Sequence, residues 1–132
     1  MRLFIALSFL VITTTSFSQT PYLVKDIDPG SVSGITWVTD FECSAGHYFF
    51  MANTVAEGKE LWVSDGTEAG THIVKDINPG SADAMIAGQD LFVYNNGLLF
   101  NADDGVSGSE LWFTDGTEAG TTMIKDISPG SN

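Results

Sequence analysis

A repeat of 50 residues constrains this chain more than any other feature of its sequence. The octapeptide Val-Lys-Asp-Ile-Asp-Pro-Gly-Ser at 24–31 returns with small changes at 74–81 and at 124–131. The longer segment 60–81 returns at 110–131 and differs at six positions only: 63, 64, 72, 73, 74 and 78. The chain is therefore a tandem array, in which each unit has to bury its apolar surface against a neighbouring unit.

The second unit shows four short segments rich in β-branched and aromatic residues, separated by turn signals. These segments predict strands at 90–94, 98–102, 110–114 and 121–127. Asn95-Asn96-Gly97 separates the first two, and Asn-Gly supplies the positive φ angles of a type I′ hairpin. The first unit predicts strands at 38–43, 47–52, 60–64 and 71–77, with Ala45-Gly46 as its hairpin. No segment after residue 18 has a convincing helical period of apolar residues.

These elements predict an all-β fold of tandem four-stranded antiparallel β-meanders that resemble propeller blades, with another kind of repeated meander as the alternative. We expect two full units, at 32–81 and 82–132, plus one extra strand within 19–31, over Tyr22 to Ile27, as the last strand of an incomplete first blade. A closed propeller has roughly four to eight blades. We therefore expect a fragment of a longer protein whose further repeats complete a ring, or self-association that does so. A small open stack of two sheets is the third possibility.

The first 18 residues have the three parts of a secretory signal peptide. Met1-Arg2 is positive, 3–12 is an apolar run of about ten residues, and Ser16-Phe17-Ser18 is a small-x-small cleavage site. Such a run is too short to span a bilayer of roughly 30 Å. We predict a secreted or cell-surface protein, with no membrane insertion of the mature chain that begins at Gln19.

The composition excludes several classes of partner. The chain has 5 Lys and Arg against 17 Asp and Glu, a formal net charge of −12, so it lacks the basic surface that a nucleic acid or an anionic membrane requires. Its single cysteine, Cys43, excludes an intrachain disulfide and a cysteine-based zinc site. We expect Cys43 to be a small buried apolar residue. The two histidines, His47 and His72, occupy different repeat positions, which does not favour a zinc site.

The segments 60–67 (Glu-Leu-Trp-Val-Ser-Asp-Gly-Thr) and 110–117 (Glu-Leu-Trp-Phe-Thr-Asp-Gly-Thr) carry a family resemblance. They resemble the ELWxxDGT repeat, and 70–80 and 120–130 match its usual continuation. The resemblance implies a large secreted or cell-surface bacterial protein with many tandem copies. It implies no established catalytic activity and no assigned ligand.

The repeated motif residues are predicted to be structural. Trp62 and Trp112 occupy equivalent strand positions, which favours packing of unit on unit over two sugar-binding platforms. Asp65-Gly66 and Asp115-Gly116 are similar to the Asp-box hairpin, in which the aspartate bonds its own loop amides. Trp37 has no aromatic counterpart, because Ala87 takes its place. Trp37 is therefore the candidate for an exposed ligand contact.

One loop is a candidate calcium site. Asp103, Asp104, Ser107 and Glu110 offer hard oxygen ligands at short spacing. Their spacing is not that of an EF-hand, and the equivalent loop of the first unit lacks both aspartates. A solvated acidic turn is the alternative, and no other cofactor is indicated.

No arrangement of residues predicts catalysis. The sequence favours a secreted or surface-displayed non-catalytic β-repeat module, part of a larger extracellular binding or adhesion protein, whose glycan or protein ligand is unknown. One alternative is a fragment of a glycan hydrolase on a propeller scaffold, since 17 carboxylates can always supply an acid pair. The other is a purely structural spacer.

Overall fold

The computed structural model describes residues 20–29, 41–86 and 90–130. It contains two four-stranded antiparallel sheets whose strands are joined in sequence order. The first sheet consists of β1 (Phe41–Ser44), β2 (His47–Thr54), β3 (Gly58–Ser64) and β4 (His72–Ile73), and the second of β5 (Phe92–Tyr94), β6 (Gly97–Asp103), β7 (Ser109–Thr114) and β8 (Thr122–Lys125). The predicted all-β fold with two meander units is confirmed.

Three predictions fall on residues outside the described ranges. These are the signal peptide at 1–18, the ligand contact at Trp37, and the start of the first unit at 32–40. Within the described ranges, no helix is long and apolar enough to cross a bilayer.

The outer strands are shorter than the sequence predicts. Only His72–Ile73 of the predicted segment 71–77 pairs as β4, and β8 ends at Lys125. Residues 22–27, where we expected the extra strand, are irregular. They form no ladder with any strand in the described part of the chain.

The two hairpins turn on residues with positive φ. In the second unit these are Asn95 (φ 47°) and Asn96 (φ 62°), whereas Gly97 is the first residue of β6. The turn pair is therefore Asn-Asn rather than the Asn-Gly that the sequence suggested. A side chain at Gly97 would meet the Thr114 carbonyl and the Phe113 ring across the sheet. Close packing thus requires glycine at this position.

A shared apolar core holds the two sheets together. One face of β2 and β3 and one face of β6 and β7 contribute to it. The side chains from these faces are each at most 7% exposed: Phe49, Met51, Leu61 and Val63 in the first sheet, and Leu98, Phe100, Ala102 and Trp112 in the second. Burial of apolar area stabilises a fold by about 25 cal/mol per Å², so this layer stabilises the packing of one unit on the other.

The connection between the sheets also belongs to this core. The amides of Ala84 and Met85 both donate to the Lys59 carbonyl of β3 at 3.1 Å. The Asp103 amide of β6 donates to the Ala84 carbonyl at 2.9 Å. The connection is therefore hydrogen-bonded to both sheets and limits their relative movement.

The opposite face of the first sheet carries a second, smaller cluster. It consists of Phe50, Ala52 and Trp62, with Ile27 and Ile73 packed against it. Beside this cluster, Lys25 Nζ donates to the Thr71 carbonyl at 2.7 Å. One repeat later, Lys75 Nζ donates to the Thr121 carbonyl at 3.0 Å. Residues 20–29 thus contact the first sheet through the same lysine interaction by which Lys75 contacts the second.

Cys43 is exposed, which contradicts the expectation that it is buried. It pairs with Tyr48, and its neighbour two residues away, Phe41, pairs with Phe50. Cys43 therefore lies at the edge of the sheet face that carries the smaller cluster. Phe41 and Tyr48 on that face are also about half exposed, at 54% and 48%.

Ala45 provides a test of the hairpin geometry. Its φ of 50° is left-handed, which costs an L-residue with a Cβ roughly 1–2 kcal/mol. We expect Ala45→Gly to raise the free energy of unfolding by about 1 kcal/mol, measured by urea denaturation. Ala56→Gly is the control, because Ala56 is an exposed turn residue without a positive φ. Equal effects of the two substitutions would contradict this geometry.

Candidate functional site

The Asp-Gly-Thr motif builds a closed turn after β3. Asp65 Oδ1 accepts hydrogen bonds from the Thr67 amide at 2.8 Å and from the Thr67 hydroxyl at 2.7 Å. The Thr67 hydroxyl also accepts from the Gly70 amide at 3.0 Å. The Thr71 hydroxyl donates to the Thr67 carbonyl at 2.7 Å. We call residues 65–71 the first DGT turn.

Residues 115–121, the second DGT turn, repeat this network bond for bond. Asp115 Oδ1 accepts from the Thr117 amide at 2.9 Å and from its hydroxyl at 2.7 Å. The Gly120 amide donates to the Thr117 hydroxyl at 3.0 Å, and the Thr121 hydroxyl to the Thr117 carbonyl at 2.6 Å. In both units a buried hydroxyl pair 2.7 Å apart ties the turn to its strand: Ser64 with Thr71, and Thr114 with Thr121.

Steric crowding explains why the last residue of each motif is a glycine. A Cβ on Gly70 would collide with the Asp65 carboxylate, and a Cβ on Gly120 with the Asp115 carboxylate. The aspartate can fold back into its turn only because these two positions lack a side chain.

The turn hydrogen bonds also act on the charge of the aspartates. The Thr67 hydroxyl, followed by the Thr67 amide, holds the pKa of Asp65 below its usual value. The Thr117 hydroxyl and amide lower the pKa of Asp115 in the same way. Both carboxylates therefore remain ionised at neutral pH. The hydrogen bonds to the two carboxylates stabilise the turns fully above pH 3.8. This stabilisation is lost as the pH falls through the lowered pKa values of Asp65 and Asp115.

A cleft of about 450 Å³ lies between the two DGT turns. Its walls include both turn aspartates, Gly116 and Val63. The titratable residues that line it are His47, His72, Asp65, Asp115 and Glu118. We call this the inter-turn cleft, and it is the candidate functional site.

Both histidines of the chain line this cleft. The sequence analysis did not predict that they lie close together. Val63 of β3 pairs with Phe49 on one side and with His72 on the other, and His47 lies two residues before Phe49 on β2. The alternation of side chains along a strand then places His47 and His72 on the same face. The spacing of 25 residues gives no such signal until the strand register is known. Neither histidine is repeated, since Gly97 and Thr122 take their places.

The glutamates of the Glu-Leu-Trp motif are structural. Glu60 is fully buried and its Oε1 accepts a hydrogen bond from the Asn78 amide at 3.2 Å. Glu110, 4% exposed, accepts from the Ser128 amide at 2.9 Å in the same way. Each carboxyl thus fastens the Pro-Gly loop that ends its own unit.

Burial raises the pKa of Glu60 from 4.5 to about 8. The backbone hydrogen bonds from residues 77 and 78 act in the opposite direction but are outweighed. Its Oε2 has no hydrogen-bond partner within the described residues. A carboxyl in this setting retains its proton at neutral pH.

The two repeated tryptophans are both buried, Trp62 at 7% and Trp112 at 6% exposure. Trp112 packs in the core between the sheets, where its Nε1 donates to the Ala102 carbonyl at 3.1 Å. Lys75 Nζ lies 5.8 Å from the centre of the Trp112 ring. Trp62 belongs to the smaller cluster on the opposite face of the first sheet. Neither indole is placed as an open platform for a sugar ring.

Two of the four candidate calcium ligands, Asp104 and Ser107, bond to each other, and the other two accept hydrogen bonds from backbone amides. Asp104 Oδ1 accepts from the amides of Val106 and Ser107 at 2.9 and 2.6 Å. Asp103 Oδ1 accepts from the Gly105 amide at 2.7 Å. Glu110 is directed to Ser128, as described above. No group of three or more His, Cys, Asp or Glu side chains in the described ranges is placed to hold a metal ion.

Comparison with known proteins identifies no relative of this chain. No family model matches it, and no curated protein or solved structure gives a significant match.

The buried Glu60 predicts a characteristic pH dependence. Below pH 4.5 this group is protonated in both the folded and the unfolded chain. Between 4.5 and about 8 the unfolded chain ionises while the folded chain keeps the proton, so rising pH lowers stability. Glu60→Gln keeps an acceptor for Asn78 and removes the titration. We expect this variant to gain a few kcal/mol over the natural protein as the pH rises through that window, measured by urea denaturation. A stability difference independent of pH would rule this out.

The hydrogen bonds of the first DGT turn predict that removal of the buried Thr71 hydroxyl lowers the stability of the fold. Thr71 is 4% exposed and bonds to both Ser64 and Thr67. We expect Thr71→Val to lower the free energy of unfolding by about 1–2 kcal/mol, because it leaves these polar groups without a partner. Thr122→Val is the control, since Thr122 is exposed on β8. Thermal unfolding followed by circular dichroism measures both.

Proposed function

We propose that this protein is a secreted or surface-displayed, non-catalytic β-repeat module that binds extracellular ligands in the inter-turn cleft. The observation that carries the proposal is the contrast between the two DGT turns and the cleft between them. The turns are repeated bond for bond, and their aspartates are occupied in internal hydrogen bonds. The cleft adds His47 and His72, which are not repeated. A scaffold of repeated turns that holds unrepeated residues in the cleft between them is typical of a binding site.

The lining favours a ligand rich in hydroxyl or amino groups. Carboxylates accept hydrogen bonds, and an imidazole can donate or accept one. Three acidic residues in the cleft and a net charge of −12 repel anionic ligands. We therefore propose neutral or amino-bearing glycans as the ligand class.

A catalytic role has less support. A general acid has to contact the bond that it protonates. The carboxyl with the strongly raised pKa, Glu60, is fully buried and bonded to the Asn78 amide. Glu60 therefore has no access to a substrate.

We further propose that the two units are propeller-type blades of the ELWxxDGT family and that the chain is exported through its N-terminal leader. The support for blades is the meander order of each sheet and the packing of consecutive sheets on one another. The support for the family is the motif at 60–67 and 110–117.

A glycan array followed by titration tests the binding role. We expect the protein to retain neutral or amino-bearing glycans, and His72→Ala and Glu118→Gln each to weaken binding about five- to tenfold, the loss of one hydrogen bond. Glu68→Gln is the matched control, since Glu68 is the repeat equivalent of Glu118 and does not line the cleft. If no glycan is retained, or if Glu68→Gln weakens binding as much as Glu118→Gln, the proposal fails and the role of structural spacer takes its place.

A further inference from the structure

The two ends of the stack expose apolar side chains whose repeat equivalents are buried. On the outer face of the second sheet, Leu111 is 40% exposed, Ile124 53% and Ile127 69%. Their equivalents 50 residues earlier are 0%, 3% and 5% exposed in the core between the sheets: Leu61, Val74 and Ile77. Leu99 and Phe113, which pair across β6 and β7, complete this surface. We call these five residues the C-face.

The opposite end shows the complementary pattern. Phe41 and Tyr48 on the first sheet are 54% and 48% exposed. Their repeat equivalents, Leu91 and Leu98, are 5% and 0% exposed in the shared core. Phe41 and Tyr48, together with the smaller cluster of Phe50, Ala52 and Trp62, form the N-face.

The contact between the two sheets shows what fits each face. The first sheet contacts the second with the equivalents of the C-face, and the second contacts the first with the equivalents of the N-face. The chain therefore carries at its two ends the two halves of an interface that it already forms internally. From this we propose that the C-face of one copy of this chain docks onto the N-face of a second copy, head to tail, and reproduces the contact between its own two units.

The lysine interaction extends this contact. Lys25 and Lys75 each donate to the threonine carbonyl 46 residues later, Thr71 and Thr121. Lys125, the third member of the series, is exposed at the edge of the C-face. In the docked pair, Lys125 donates a hydrogen bond to the Thr71 carbonyl of the second copy. It thereby displaces residues 22–27 of that copy, whose Lys25 makes this hydrogen bond in the single chain.

Within the described ranges, few contacts hold residues 22–27 against this exchange. Besides the Lys25 bond, the Tyr22 hydroxyl donates to the Gly66 carbonyl at 3.4 Å, and Ile27 packs on the smaller cluster. Tyr22 and Leu23 are 76% and 77% exposed. A groove of about 410 Å³ remains between this segment and the N-face. The segment therefore covers the N-face only in part.

The two faces of this contact differ from each other, and this difference determines how the copies assemble. Two different faces meet, so the interface is heterologous, and association continues beyond a dimer into a ring or a filament. Since each copy carries a net charge of −12, raising the salt concentration screens the repulsion and strengthens association.

Sedimentation velocity over a range of protein concentrations, at about 0.15 M salt and above, tests the proposal. We expect the mass of the natural chain to rise with concentration in multiples of the monomer. Leu111→Lys on the C-face and Tyr48→Lys on the N-face should each remain monomeric when alone. Mixed together, these two variants retain one intact pair of faces and should form a 1:1 dimer and nothing larger. Val106→Lys, in the exposed loop between β6 and β7, should associate as the natural chain does.

Several outcomes would overturn the proposal. A natural chain that is monomeric at every concentration excludes the contact. A mixture of the two variants that stays monomeric, or single variants that still dimerise, excludes the head-to-tail arrangement. Circular dichroism checks that each variant is folded.

The exchange of lysines has a test of its own. Lys125→Ala should weaken association about fivefold through the lost hydrogen bond. Lys25→Ala should strengthen it, because the Thr71 carbonyl is then free for Lys125 of the other copy. Effects of the same sign from these two equivalent substitutions would refute the exchange.

Discussion

The fold depends on one constraint, which is that a sheet of this repeat is apolar on both faces. Most antiparallel sheets bury one face and expose the other. Here four consecutive residues of β2, at 49–52, are all buried, as are five of β3, at 60–64. Such a sheet is stable only when both faces are covered, so the unit has to stack. The shared core, the hydrogen-bonded connection at 82–85 and the exposed faces at the two ends all follow from this requirement.

Four of the repeated acidic residues have a structural role within their own unit. Several serve as hydrogen-bond acceptors for the backbone: Asp65 and Asp115 close their turns, and Glu60 and Glu110 fasten the Pro-Gly loops. These positions are repeated because each unit needs the same turn and the same loop. The two turn aspartates thus contribute to the net negative charge because each unit needs the same turn.

Residues that are not repeated carry the distinctive chemistry. His47 and His72 belong to the first unit alone, yet the cleft that they line is completed by the second DGT turn. Stacking of the two repeat units thus creates a cleft that neither unit contains by itself. The same stacking leaves different faces at the two ends, because the two sheets contribute opposite, non-equivalent faces to the shared core.

The sequence by itself determined the period of 50 residues and the four strands in each unit, because strand and turn patterning depends on neighbouring residues. It could not place the histidines, since side chains 25 positions apart meet only through strand register. It also misplaced Cys43 and the strand expected at 22–27, because exposure and ladder formation depend on which surface lies opposite. Tertiary structure decided these points: which face of each sheet is covered, and by what, is set by contacts between units.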